Sequence, residues 1–412
     1  MLKKIKYIFL AVILLALLHF ESLSIGPLKI SHLWKGLVLF FLMISYFRRE
    51  KKQTFIYIPF FLIALLQLIN VELINNTMNA VVSFGIILII PLFGVYIIKY
   101  PIEKLNNALL FLVSFFVLSF VPYKIGVLES IGDGYNLEQY GSDAFGLIGP
   151  FQTVHSASMT LGGSFLVILY LLMNKAFNRI YLSILITLCF YFLVNTYVRT
   201  GMAMAAIGSI PIILYFAKNQ LSTRIRLIFV GGIMGLMIST WVMTNPILLN
   251  RITGQRIKSN EAESIEQIGS GRGHLWKYAL EIYSEENFLE QIIGLGQTET
   301  LSRMQKKISN RVFPHNGFLQ ILLVNGLVGF VALIVFIYKV YKTKNKLHKK
   351  YFVLVKSLLF AFVIMSFVQT YDLLYFHILM MLSITLYIKK SYLLKENLKY
   401  YFNEISVSKN NQ

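Results

Sequence analysis

The sequence predicts an all-α polytopic membrane protein with about twelve transmembrane helices and a large external loop, and three observations carry that prediction. Hydrophobic residues make up 56% of the 412 residues and charged residues only 14%, where a soluble domain carries about 25% charged. Apolar stretches of spanning length recur from Ile5 almost to the C-terminus. Lys and Arg gather in the short segments between those stretches, which is the pattern of the positive-inside rule.

Taken in order, the expected spans are 5–20, 33–47, 54–70, 79–98, 106–122, 151–173, 180–197, 201–217, 225–244, 316–340, 351–369 and 373–389. The first follows Lys3, Lys4 and Lys6 and runs to Phe20. It resembles a cleaved leader, but no small-residue cleavage site follows and another span soon does, so it reads as the first helix. With Lys3 in the cytoplasm, every strongly basic loop falls on that side and both termini end there. One span more or fewer would place the dense cluster Lys339, Lys342, Lys344, Lys346, Lys349 and Lys350 outside. The whole chain, 1–412, is read as a single integral membrane domain.

The net charge of +20 raises a nucleic-acid reading, and its placement removes it. Arg48, Arg49, Lys51 and Lys52 form one interhelical group, Lys175 and Arg179 another, and Lys218, Arg224 and Arg226 a third. Such charges set topology rather than line a polyanion groove. The single cysteine, Cys189, excludes an intrachain disulfide and a cysteine-based zinc site.

Two segments exceed ordinary connections. Residues 123–150 are expected to form a first external loop, acidic through Glu129, Asp133, Glu138 and Asp143 and turn-rich in "GDGY" and "YGSDAFG". Residues 245–315 form a second external loop of about 70 residues, far beyond the usual connection. It holds nine basic and eight acidic residues. Within it, "GHLWKYALEIYSEENFLEQIIG" sets Leu275, Ala279, Ile282 and Tyr283 at helical spacing, predicting an amphipathic helix lying on the membrane.

Charges at the membrane edge are informative because lipid makes them unfavourable. Arg199, in "NTYVRTGMAMAAIG", stands alone between two spans. It either snorkels to lipid phosphate or offers a fixed cation to an external cavity. The small residues Gly201, Ala203, Ala205, Ala206 and Gly208 allow close helix packing beside it. Arg272, in "GSGRGHLWKYAL", precedes a helix start, a combination suited to an anion such as phosphate. No Walker ending follows.

His315, in "RVFPHNGFLQILLVNGLVGF", stands beside Asn316, which is placed to cap a long helix. The positive helix end depresses the imidazole pKa and favours the neutral ring. The ring serves either as a hydrogen-bonding group or base, or merely caps a helix in headgroup water. Asp372 is the acid at the external turn between the last two spans, suited equally to an ion pair or to catalysis. The remaining histidines show no metal-ligand spacing, and HExxH, GxSxG and CxxC are absent.

Together, "YVRTGMA", "GRGHLWKYAL", "IIGLGQTE" and "PHNGFLQILLVNGLVG" resemble the O-antigen ligase/polymerase superfamily, which includes Wzy-type polysaccharide polymerases. The resemblance covers about residues 150–390, with its core at 195–330. It implies an enzyme that transfers glycans from undecaprenyl-diphosphate-linked oligosaccharides on the outer side of the cell (inner) membrane. The family's functional arginines and histidine fall on Arg199, Arg272 and His315, and a late acid on Asp372. The serine usual before the first arginine is Val198 here. The resemblance points to a polymerase of repeat units building O-antigen or capsule. The alternatives are a ligase delivering finished glycan to lipid A core and, more distantly, a lipid-linked sugar flippase. No metal and no cofactor are expected. Partners are the bilayer, the lipid-linked oligosaccharides, a chain-length regulator and a flippase, with no nucleic acid.

Overall fold

The computed structural model describes residues 24–25, 28–47, 56–70, 77–98, 100–130, 146–151, 153–175, 177–219, 272–309, 312–342, 349–371 and 373–388. Apart from a minimal hairpin pairing Ser24–Ile25 with Leu28–Lys29, the described residues form helices. In chain order these are α1 (Ile30–Phe47), α2 (Ile58–Ile69), α3 (Thr77–Ile97), α4 (Ile102–Leu118), α5 (Val121–Lys124), α6 (Val154–Met173), α7 (Arg179–Asn195) and α8 (Arg199–Asn219). They continue with α9 (Arg272–Glu285), α10 (Phe288–Ile293), α11 (Gln297–Ile308), α12 (Gly317–Lys342), α13 (Lys349–Val368) and α14 (Leu374–Ile388).

Six of these helices contain stretches long and apolar enough to cross a membrane: α3, α4, α6, α8, α12 and α13. Shorter apolar helices, α1, α2, α7 and α14, stand where further spans are expected. The spans expected at 5–20 and 225–244, the middle of the first loop and the second loop before Arg272 lie outside the described residues.

Helix α6 is the hub of one group, packing against α4, α7, α8 and α13. A second group joins α1, α2 and α3, and α12 connects it to α13. Helix α14 runs through the interior: each residue from Leu374 to Tyr387 is buried. It touches α2 through Phe60 and His377, α4 through Phe116 and Tyr375, and α13 through Phe362 and His377. A helix apolar on all faces has to be surrounded by protein or lipid, and here the bundle does the surrounding.

Small residues set the closest approaches, as the composition of α8 predicts. Gly201 lies against Ser158 of α6, and a Cβ on Gly162 would stand 2.8 Å from the Gly201 carbonyl oxygen. Gly208 faces Leu166 and the Ser357 carbonyl of α13. These contacts bring the start of α8 onto the start of α6. Lys175, Arg179, Lys218, Lys339, Lys342, Lys349 and Lys350 fall at the opposite ends of these helices.

Two expected elements differ from their sequence reading. The amphipathic helix is interrupted after Glu285, where Asn287 caps α10 in a reciprocal capping box with Glu290. The predicted apolar face of α9 is nevertheless used. Ala279 and Ile282, flanked by Leu275 and Tyr283, form a small core with Leu295, Met304 and Leu323 of α12. That face therefore packs on protein, while Leu280, Phe288 and Leu289 are exposed.

The second difference is in α12, expected as one continuous span. It breaks at Gly326, whose φ of 64° and ψ of −169° are non-helical. A break would strand backbone carbonyls in an apolar interior. Leu295 N–H donates to the Leu323 carbonyl at 2.8 Å and Gly296 N–H to the Val324 carbonyl at 3.0 Å. The "GLG" of the α10–α11 connection thus plugs the break. Asn325 adds a side-chain tie, donating to the Ile63 carbonyl and accepting from the Tyr371 hydroxyl.

Gly326 combines a backbone region reserved for glycine with no room for a side chain. A Cβ there would overlap the Ile292 carbonyl and approach the Gly294 nitrogen to 2.6 Å. Gly326→Ala is expected to destabilise the protein by about 3 kcal/mol or more. Thermal unfolding of the detergent-solubilised protein measures this, and an unchanged Tm would show that the break is not held as described.

Candidate functional site

At the end of the bundle opposite the lysine-rich ends, four helix termini converge. The start of α6 is capped by Thr153, whose hydroxyl accepts from Ser156 N–H at 3.1 Å. The start of α8 carries Arg199, exposed, two residues before the Gly201 contact with Ser158. The start of α12 is capped by Asn316, whose side-chain oxygen accepts from Phe318 N–H at 3.0 Å and Leu319 N–H at 3.1 Å. The fourth terminus is the C-terminal end of α13. Gly317 allows α12 to meet it, since a Cβ would stand 2.6 Å from the Tyr371 nitrogen.

His315 occupies the corner between these helices. Its φ is 48°, a left-handed conformation uncommon outside glycine and worth about 1–2 kcal/mol of strain. The turn lets Asn316 cap the helix while the imidazole faces Gln369, to which it is hydrogen-bonded, and Arg272, whose charge acts on it. Burial first and the Arg272 guanidinium second push the His315 pKa below its ordinary value, opposed by the Gln369 hydrogen bond. The direction is the one expected from a helix start. Desolvation, rather than the helix dipole, is the main cause.

Arg272 is the first residue of α9 and half-buried. One turn further on, Trp276 packs edge-on against Phe367 of α13 at 6.3 Å between ring centroids, and Phe367 in turn meets Phe318 of α12 at 6.0 Å. This aromatic contact and the small α9–α12 core fix Arg272 beside His315.

Two residues of the cluster were not singled out in the sequence. Gln369 is 6% exposed and its side-chain nitrogen lies 3.1 Å from Nδ1 of His155, on the first turn of α6. One amide thus joins His155 and His315. A lone glutamine after an apolar run and a histidine without ligand spacing give no pattern, and 214 positions separate them in the chain. The structure brings Arg272 and His315 together and sets Arg199 on the helix packed against the start of α6. Asp372 lies outside the described residues, between Tyr371 and Leu373. Among the described residues, no three His, Cys, Asp or Glu side chains gather as metal ligands would.

The site therefore offers cations, and an imidazole whose pKa is lowered, at helix termini on one end of a helical membrane bundle. Residues 184–334 match the family model for O-antigen ligase, so that stretch is similar to this family. The match contains Arg199, Arg272 and His315 and leaves His155, Gln369 and Asp372 outside it. No curated protein matches the chain.

Proposed function

We propose that the protein polymerises undecaprenyl-diphosphate-linked oligosaccharide repeat units into cell-surface polysaccharide at the external face of the bacterial cell membrane. The observation that carries this reading is the meeting of Arg272 with a half-buried His315 at the capped start of α12. An external position for this cluster is supported by the lysine-rich ends at the opposite end of the bundle, which the positive-inside rule favours in the cytoplasm.

In this mechanism one lipid-linked glycan is the donor and the terminal sugar of another supplies the acceptor hydroxyl. The hydroxyl oxygen attacks the donor's anomeric carbon, a new C–O bond forms, and the bond from that carbon to the diphosphate oxygen breaks. Neutral His315 takes the hydroxyl proton. The electron pair leaves with the lipid diphosphate, whose charge Arg272 and Arg199 neutralise by charge-assisted hydrogen bonds. Asp372 either assists as a second base or pairs with an arginine. Diphosphate is already a good leaving group, so the reaction runs without a metal or cofactor.

Deleting the gene tests the reading. The expected result is surface glycan reduced to single repeats, seen as collapse of the polysaccharide ladder on a gel. Complete absence of attached glycan would assign the protein as a ligase. Substrate accumulating on the cytoplasmic side would make it a flippase, and an unchanged ladder would exclude all three.

A further inference from the structure

We propose that Leu280, Phe288 and Leu289, around the turn from α9 into α10, form a membrane-contacting surface that seats the α9–α11 unit in the acyl chains of the outer leaflet. The inference goes beyond the glycan reading and does not depend on it.

Phe288, at 77%, is the most exposed large hydrophobic side chain among the described residues, and Leu289 and Leu280 are 62% and 52% exposed. Scattered apolar side chains on a surface need no partner. These three are continuous with faces of the bundle that lipid covers. On α12 an exposed stripe begins at Leu327 and continues through Val331, Ile334 and Tyr338. Ile292 of α10 lies against Gly326, the residue before that stripe. Phe288 and Leu289 stand one helical turn before Ile292. On α13, half-exposed Phe367 belongs to the apolar span Lys350–Val368, and Trp276 packs on its ring. Leu280 follows Trp276 by one turn on the same side of α9.

The depth of the α12 break decides between lipid and water. From Lys342 to Gly326 the helix rises at most about 24 Å, at 1.5 Å per residue, whereas the hydrocarbon core is about 30 Å thick. With Lys339 and Lys342 at the cytoplasmic edge, the break lies beneath the outer edge. Phe288 stands no more than about 6 Å above Ile292, one turn of α10. Whichever way α10 points, Phe288 and Leu289 stay within the outer margin of the hydrocarbon.

Charge is partitioned to match. At about 100° per residue, Glu281 and Glu285 fall on the side of α9 turned away from Trp276 and Leu280. Both meet Lys307 of α11, Glu285 at 2.6 Å and Glu281 at 4.0 Å, and Glu286 pairs with Arg303 at 3.4 Å. These acids are thereby kept from the apolar surface, where lipid would disfavour them. For the site the consequence is a second anchorage. Helix α9, whose first residue is Arg272, is held by the leaflet as well as by α12.

The test uses the full-length chain in liposomes of phosphatidylethanolamine and phosphatidylglycerol. An environment-sensitive fluorophore is attached to Phe288→Cys, to Leu289→Cys or, as a control on α11, to Lys306→Cys. All three side chains are exposed, so labelling leaves the fold intact, which an unchanged Tm verifies. Cys189 is buried, and the unsubstituted protein measures stray labelling. Nitroxide-bearing acyl chains are expected to quench the two α10 sites several-fold more than the control, a nitroxide near the headgroup more than one near the chain end. Aqueous iodide should quench Lys306→Cys alone. Strong iodide quenching at both α10 sites, without response to nitroxide lipid, overturns the proposal. Protection from both quenchers also overturns it: protection lost as the protein is diluted in lipid means that a second copy covers the surface, and protection that persists means that this chain covers it. Each outcome is read without the glycan reaction, so a failure here leaves the proposed function to its own test.

Discussion

Replacing Arg272 by alanine is expected to abolish polymer formation, with turnover down at least about a hundredfold, while the protein still inserts and folds. Arg272 is the first residue of α9, where alanine is well tolerated, and the helix is anchored elsewhere. Ala279 and Ile282 hold it to Leu323, and Trp276 holds it to Phe367. What the substitution removes is a cation fixed beside His315. Arg272→Lys separates two functions of that cation. Lysine restores the positive charge that adds to burial in lowering the His315 pKa, but it cannot make the planar bidentate contact with a diphosphate. Lysine is therefore expected to rescue little of the polymer. The readout is the glycan ladder, normalised to the protein recovered in the membrane fraction. A full-length ladder from Arg272→Ala would sink the proposed role.

Arg272 and His315 are legible in the sequence for a physical reason. A charged or titratable group against a span is rare because lipid disfavours it, so each stands out without knowledge of the fold. The cap at Asn316 is readable for a related reason, since an amide before an apolar run has a local task. The helices are legible through hydropathy, which counts apolar length. Hydropathy is blind to φ, however, and so α12 reads as one span although Gly326 breaks it. The glycines of "IIGLGQ" and "VNGLVG" do mark the two halves of that joint. Their partnership is visible only when the Leu295 and Gly296 amides reach the Leu323 and Val324 carbonyls. Gln369 and His155 are the opposite case. Each is an ordinary residue type whose meaning comes entirely from a contact across the bundle.

The broken helix also explains how a soluble-looking segment can position groups at a membrane edge. The α9–α11 unit is joined to α12 by backbone hydrogen bonds at the break and by a shared core. Arg272 is thereby placed relative to His315 by two attachments to one helix rather than by a loop.

The second large effect is expected at His315. His315→Asn should lower turnover by about a hundredfold or more, the usual contribution of a positioned base. Asparagine is the informative replacement because it accepts the left-handed conformation, φ 48°, more readily than alanine does. It thus removes the base while leaving the Asn316 cap in place. The pH profile of the wild type supplies the second check. Burial and Arg272 push the His315 pKa below its ordinary 6.5, so the neutral ring predominates at pH 6.5 and protonation grows in more acid solution. A base must be unprotonated to act, so turnover is expected to hold at pH 6.5 and to fall below it. In His315→Asn that acid limb should disappear from the residual rate. An acid limb centred above 6.5 would mean that another group takes the acceptor's proton. Full activity in His315→Asn would leave position 315 only the turn into α12, with Arg199 and Arg272 then carrying the chemistry by charge alone.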